Sequence, residues 1–224
     1  MMRLARAAAQ TGAWQVELVG SDTLPLPTGS PFTFAWYQGE IPAVAPSGPS
    51  HVRLTRRANP VSFELHLSLQ WVGRSTATHE CDVSMLPKSI ADPMRNNGGG
   101  SPHGLPVAAF ECKDRGTTGN TDEMRQTLAR LFDLALVTTA YPRWGCRLFE
   151  PHNHTRWGRY RTRYREFFKA GHFAIVRSKK FSTGADSPGD HYKIERHGDV
   201  YTDGRVIQAL EKSFTDLLRR IDDV

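Results

Sequence analysis

HECDVSML at 79–86 and LPVAAFECKDR at 105–115 decide how this chain is read. Both are apolar runs able to form strands, both carry acids, and the second also carries a lysine. Successive side chains on a strand point to opposite faces, so Glu80 and Asp82 are expected on one face of the first strand. Glu111 and Lys113 are likewise expected on one face of the second. If the strands are neighbours, three carboxylates and an ammonium converge, a grouping suited to a hard divalent cation and a phosphodiester. Cys81 and Cys112 then fall on the opposite face, where small buried hydrophobes are the default.

Outward from these runs the pattern is regular. From 61 to 71, Val61, Phe63, Leu65, Leu67, Leu69 and Trp71 alternate with polar residues, which predicts a half-buried strand. The turn signal at 73–76 predicts a hairpin into the HECDVSML strand, which Pro87 should end. The glycine-rich stretch 88–104 is expected to be a mobile loop beside the acids. After a strand at 105–112, Asn120 and Glu123 form a capping-box pattern for a helix running to about 139, with Met124, Leu128, Leu131, Phe132 and Ala135 on one face. A second aromatic and basic helix is expected at 155–170, a fourth strand at 172–176, and a last helix from about 203 carrying Val206, Leu210, Phe214, Leu217 and Ile221.

Upstream, residues 3–11 predict a short alanine-rich helix and 14–19 an extended or helical continuation. The segment 21–50 is rich in Pro, Gly, Ser and Thr; only PFTFAWY at 31–37 resembles a strand there, in a loop packing one aromatic patch. The expected organisation is therefore residues 1–50, an N-terminal helix and irregular region packed on the core, followed by one domain over 51–224 with a basic insertion at about 143–170.

The bulk properties are those of a soluble globular protein. The 224 residues include 39% hydrophobic side chains, and 29 Lys and Arg against 23 Asp and Glu give a formal charge of +6, with a pI near 9.4. The basic balance points toward a polyanionic partner. Three cysteines without a CxxC pair suggest neither a disulfide framework nor a zinc knuckle, and a reducing cytoplasm is the expected location. The N-terminal stretch lacks an apolar segment of signal length, and nothing in the sequence approaches a membrane span. A Walker loop and a glycine-rich dinucleotide turn are also missing, which argues against a nucleotide-processing enzyme of the usual kinds.

In order, the core reads strand, strand with Asp82, strand with Glu111-Cys112-Lys113, helix, strand, helix. It resembles the PD-(D/E)XK nuclease superfamily, over roughly residues 61–180, and AIVRSKKFSTGA at 174–185 resembles the fourth-strand region of Mrr-like restriction domains. Cys81 stands where the family name has proline, and neither Glu17 nor Glu64 fits the family's acidic residue on a helix before the first strand. The resemblance implies an α/β fold with a restriction endonuclease-like αβββαβ core, a central mixed four-stranded sheet flanked by helices. It implies catalytic Asp82, Glu111 and Lys113. Mg²⁺, with Mn²⁺ as a substitute, would be held by Asp82, Glu111 and the backbone carbonyl of Cys112, with Glu80 as a further ligand. The implied activity is hydrolysis of DNA phosphodiesters, associated with restriction or defence, by a homodimer or beside a separate recognition subunit.

Between 151 and 180 stand nine basic residues, Arg156, Arg159, Arg161, Arg163, Arg165, Lys169, Arg177, Lys179 and Lys180, against one acid, Glu166. Apart from Lys169, these are the expected nucleic-acid contacts, with Trp157, Tyr160 and Tyr164 either stacking on bases or facing the core. His152-Asn153-His154 spells HNH without the spacing of that nuclease class, and Gln126 is expected to be an exposed helical residue. The rival expectation is a non-catalytic nucleic-acid-binding or scaffold protein with the same fold, whose acids and lysine form a cross-strand ion pair.

Overall fold

The structure, a computed structural model, describes residues 1–35, 39–58, 61–114, 116–135 and 171–222. The chain begins with helix α1 (Met2–Gln10) and strand β1 (Trp14–Val19), then β2 (Ile41–Pro42), β3 (His51–Arg56), β4 (Ser62–Val72) and β5 (Thr78–Pro87). Helix α2 (Lys88–Asn96), β6 (Gly99–Gly100), β7 (Ala108–Lys113) and helix α3 (Thr121–Ala135) follow. The chain ends with β8 (His172–Arg177), helix α4 (Asp186–Tyr192), β9 (Ile194–His197) and helix α5 (Gly204–Asp222).

The architecture is α/β. A mixed sheet runs in the order β1-β3-β4-β5-β7-β8-β9, antiparallel as far as β7 and parallel from β7 to β9. The four strands expected from the sequence are its middle, and β1, β3 and β9 widen it to seven. Trp14 of β1 packs its ring 6.0 Å from that of Phe63, and Leu4, Ala5 and Ala8 of α1 join the same hydrophobic core. The N-terminal region is thus part of the sheet as well as packed on it. Helix α1 lies against α5. Among the described residues no helix is long and apolar enough to cross a membrane.

The hairpin of β4 and β5 forms with the expected turn, Gly73 N–H donating to the Ala77 carbonyl at 2.9 Å. The alternation of β4, however, does not leave one face wet: Glu64 and His66 are as buried as Phe63 and Leu65. What covers them is α2, in the stretch expected to be a mobile loop. Its face of Ile90, Ala91, Met94 and Arg95 is buried despite Pro93, and the Arg95 guanidinium donates to both carboxylate oxygens of Glu64, at 2.9 and 2.5 Å. The glycine run beyond is held too. Gly99 pairs with Pro42 at φ +87°, and a Cβ there would lie 2.3 Å from the Ile41 carbonyl oxygen, so only glycine fits.

Other differences are smaller. Residues 31–35 form no strand, and 36–38 lie outside the described residues. Asn120 Oδ1 accepts from the N–H groups of Asp122 and Glu123, both at 3.1 Å, and so caps α3 as expected. Glu123 itself pairs with Arg177. The expected helix at 155–170, the end of α3 past Ala135, Cys146 and the basic insertion lie outside the described residues.

Burial opposes ionisation of Glu64, but hydrogen bonds with His51, His66 and Arg95 overcome it and hold its carboxyl well below the usual carboxylate range. Burial pushes His66 down to about 4, so it is neutral at pH 7. An ion pair of this kind is tightly interdependent, because losing one partner strands the other charge. Arg95→Met is expected to lower unfolding free energy in urea by about 3–5 kcal/mol. The double variant Arg95→Met/Glu64→Leu should recover much of that loss; an unchanged urea midpoint in Arg95→Met would show that α2 is held by its apolar face alone.

Candidate active site

The acids at the centre of the sheet owe their arrangement to one break in strand pairing. Strands β4 and β5 pair from Phe63↔Pro87 to Leu67↔Val83 and again from Leu69↔Cys81 to Val72↔Thr78, with Ser68 and Asp82 left out of the register. Ser68 has φ +48°, a left-handed conformation uncommon for serine. Its carbonyl accepts from Gly39 N–H at 2.8 Å, and Gly39 in turn accepts from Gln70 N–H at 2.8 Å, so the proline-rich segment fills the gap on β4.

On β5 the same break changes which side chains face α3. His79 bonds Asp133 of α3 at 2.8 Å, and Glu111 accepts from Arg130 of α3 at 2.7 Å. Ser84 lies opposite Ala109, on the Glu111 face of β7. His79 and Ser84 therefore share a face although they are an odd number of residues apart. Trp71, the partner of His79, accordingly reaches Ser84 Oγ with its indole N–H at 3.1 Å.

The phase change corrects the expected facing. Cys81 and Glu80 both line, with Glu111, a small cavity under α3, together with His79, Thr127 and Arg130. Cys112, expected to be buried, is exposed, whereas Cys81 is buried as expected. Asp82 sits at the break itself, and its Oδ2 accepts from Cys112 N–H at 2.5 Å, a side-chain bond where a ladder bond would otherwise run.

Lys113 and Arg130 converge on one oxygen, Oε1, of the buried Glu111. Asp82 is half-buried. Burial raises its carboxyl pKa, and the negative charges of Glu111 and Glu80 raise it further, against the opposing Cys112 N–H and Lys113. The structure thus brings Asp82, Glu111 and Lys113 together, with Glu80 within electrostatic reach of Asp82. The oxygen donors suit a hard cation such as Mg²⁺, with the Cys112 carbonyl as a neutral ligand beside them. Among the described residues, the group of three metal-competent side chains whose donor atoms lie within 4.8 Å of one another is elsewhere: His51, Glu64 and His66. Those donors can hold a metal, but both Glu64 oxygens already carry Arg95.

Arg130 was not legible as a site residue. The available signal is its position on α3, a polar side chain one turn from Thr127 and Leu134 in an otherwise buried stripe. Gln126 is exposed, as expected. Of the expected nucleic-acid contacts, Lys179 and Lys180 are exposed just past the end of β8, whose Arg177 lies opposite Lys113. Arg177 is not on that surface. Its side chain is fully buried, paired with Glu123 at 3.3 Å and donating to the Thr117 carbonyl at 2.9 Å, and so ties β8 to the start of α3 and the loop after Lys113. Arg156, Arg159, Arg161, Arg163, Arg165, His152 and His154 lie outside the described residues.

A cavity of about 680 Å³ lies at the other, amino-terminal end of β8, lined by His172, Glu195, His197 and Arg196 among others. Its charges are largely spent on one another: Glu195 bonds His197 at 2.8 Å, and Arg196 pairs with Asp186 and Asp190. It is remote from Lys113 along the strand.

The chain matches no protein-family model, no curated protein and no solved structure.

The raised Asp82 carboxyl has a definite sign. Ionised at pH 7, it destabilises the folded state; the penalty fades as pH falls through the raised value and is gone below about pH 4, the ordinary carboxylate value. Asp82→Asn keeps an acceptor for Cys112 N–H and removes the charge. In EDTA it is expected to melt above wild type at pH 7, with the difference shrinking on acidification; a lower melting temperature would show that the charge itself is stabilising.

Proposed function

We propose that the protein is a metal-dependent nuclease that hydrolyses phosphodiester bonds in DNA. The observation that carries this reading is the cluster of Asp82, Glu111 and Lys113, in which burial, and then the charges of Glu111 and Glu80, raise the Asp82 carboxyl. Its surroundings support the same reading: an antiparallel meander of β4, β5 and β7, the crossover helix α3 and a parallel β8 follow the order of a restriction endonuclease-like core of PD-(D/E)XK type.

Asp82, Glu111 and the Cys112 carbonyl would hold the cation. Mg²⁺ or Mn²⁺, when bound, supplies a Lewis acid and a water acidic enough to act at neutral pH. The protein's own groups do the rest. Lys113 would offer positive charge where the pentacovalent phosphate becomes more negative, and Arg130 adds a second cation at the same carboxylate. Lys179 and Lys180, exposed past the neighbouring strand end, are placed to meet phosphates flanking the scissile bond.

One observation favours the non-catalytic alternative, a nucleic-acid-binding or scaffold protein with this fold: Glu111 Oε1 is already engaged by both Lys113 and Arg130. Cleavage of plasmid and single-stranded substrates with Mg²⁺, Mn²⁺ or EDTA decides between them. Cleavage is expected with either metal, absent in EDTA, and lost by at least about a hundredfold in Asp82→Ala, Glu111→Ala and Lys113→Ala proteins that remain folded. Full activity in Lys113→Ala would refute the nuclease reading, and calorimetry showing no Mg²⁺ or Mn²⁺ binding would support the scaffold.

A further inference from the structure

Away from the acids, one groove on the surface combines two exposed arginines with an exposed aromatic ring. An open groove of about 460 Å³ runs between α1 and the start of α5, with Arg3 and Arg6 on one wall and Tyr201, Gln208 and Glu211 on the other. Arg3 and Arg6 project from the exposed side of a helix whose other side, Leu4, Ala5, Ala7 and Ala8, is buried. Arg6 has no ion-pair partner among the described residues. Arg3 makes a 3.6 Å pair with Glu211 while 63% of its side chain stays exposed, a geometry that contributes little to stability.

Tyr201 is 76% exposed, more than any other large hydrophobic side chain among the described residues. It is also firmly presented. It rides a tight turn in which Thr202 N–H and Asp203 N–H both donate to the Asp199 carbonyl, at 3.0 and 2.9 Å, and Asp199 takes φ +59° to close it. A rigid turn carrying an aromatic ring into solvent is a stacking platform that loses little entropy when it is used.

The groove and the acids lie toward the same end of the sheet, on opposite faces: Phe110 of β7 packs on Phe214 of α5, and Glu111 turns to Arg130 of α3. Val200 N–H donates to the Arg177 carbonyl at 3.1 Å, and Arg177 lies opposite Lys113 in the β7–β8 register. The Tyr201 turn therefore stands at the carboxyl ends of the parallel strands, the end where ligands of open α/β sheets bind. Lys179 and Lys180 leave β8 at the same end.

We infer that this groove binds a single-stranded segment of nucleic acid, with phosphates at Arg3 and Arg6 and an unpaired base stacked on Tyr201. A ring reached from solvent at the end of a groove can stack on a splayed base but not on one inside a duplex, so the occupant is a strand with at least one unpaired nucleotide. The inference extends the nuclease reading by naming where the strand lies; binding itself needs neither metal nor catalysis.

The test is fluorescence anisotropy of a labelled single-stranded oligonucleotide, the same oligonucleotide with abasic sites, and the matching duplex, titrated with the full chain in EDTA. Tyr201→Ala should weaken single-strand binding by about tenfold. It should leave abasic binding unchanged, and Tyr201→Phe should bind as wild type. Arg3→Ala/Arg6→Ala should flatten the dependence of log affinity on log salt by about 1 to 1.5. All these side chains are exposed, so unchanged melting temperatures exclude misfolding. A Tyr201→Ala protein that binds the intact strand as tightly as wild type, an unaltered salt slope, or failure of the wild type to bind single strands would each overturn the inference. Tyrosine-dependent binding without any Mg²⁺-dependent cleavage would leave the groove standing and remove the nuclease reading; cleavage with no dependence on Tyr201, Arg3 or Arg6 would do the reverse.

Discussion

Strands β4 and β5 pair along almost their whole length and fail to pair at Ser68 and Asp82, and the site depends on that gap. A carboxylate inside a continuous ladder points squarely to one face, and its neighbours two residues away point with it. At the gap Asp82 is released from this rule and reaches sideways to the backbone of β7. The left-handed Ser68 and the inserted Gly39 are the backbone means by which the gap stays closed to solvent without being closed to pairing. Such irregularities within an otherwise regular sheet are where proteins re-aim side chains.

The same sheet handles buried acid charge in two opposite ways. Glu64 is surrounded by a guanidinium and two imidazoles, and its carboxyl is held down despite its burial. Asp82 is pushed up first by burial and then by two further carboxylates, against a single N–H and a nearby lysine. The first arrangement fastens a helix to a strand. The second is a half-buried carboxylate beside other carboxylates, the kind of perturbed group that marks a candidate site.

Much of this was legible from local pattern. The β4–β5 hairpin, β7, the Asn120 cap of α3, β8 and α5 all announce themselves by periodicity or turn chemistry, because each buries a regular face. Three kinds of feature did not. β3 and α2 are short and carry His51, Arg53, Pro93 and Arg95 where a strand or helix signal wants apolar residues; Glu64 gives His51 and Arg95 a buried partner from another strand, and Arg53 pairs with Glu17 of β1. The face change at Asp82 is invisible because the letters alternate evenly through Ser68, and alternation in sequence is alternation in space only while the ladder is intact. Arg130 and Arg177 exchange roles for the same reason. Charge alone suggested a DNA-facing Arg177 and gave no role to Arg130, while Glu123 draws the former inside and Glu111 draws the latter to the acids.

The proline-rich segment after β1 has a consequence beyond filling the gap beside Ser68. β1 is an outer strand of the sheet, and an outer strand offers a row of unpaired backbone groups to any other strand that drifts by. Here Pro25 forms a bridge to Val19, and Leu26 N–H donates to the Leu18 carbonyl at 2.7 Å, so the outer rim is occupied by a stretch in which Pro25 and Pro27 bring no N–H of their own. Growth of the sheet on that side is thereby stopped. The segment that looks least structured in composition is what keeps the most ordered part of the molecule from recruiting strands of its neighbours.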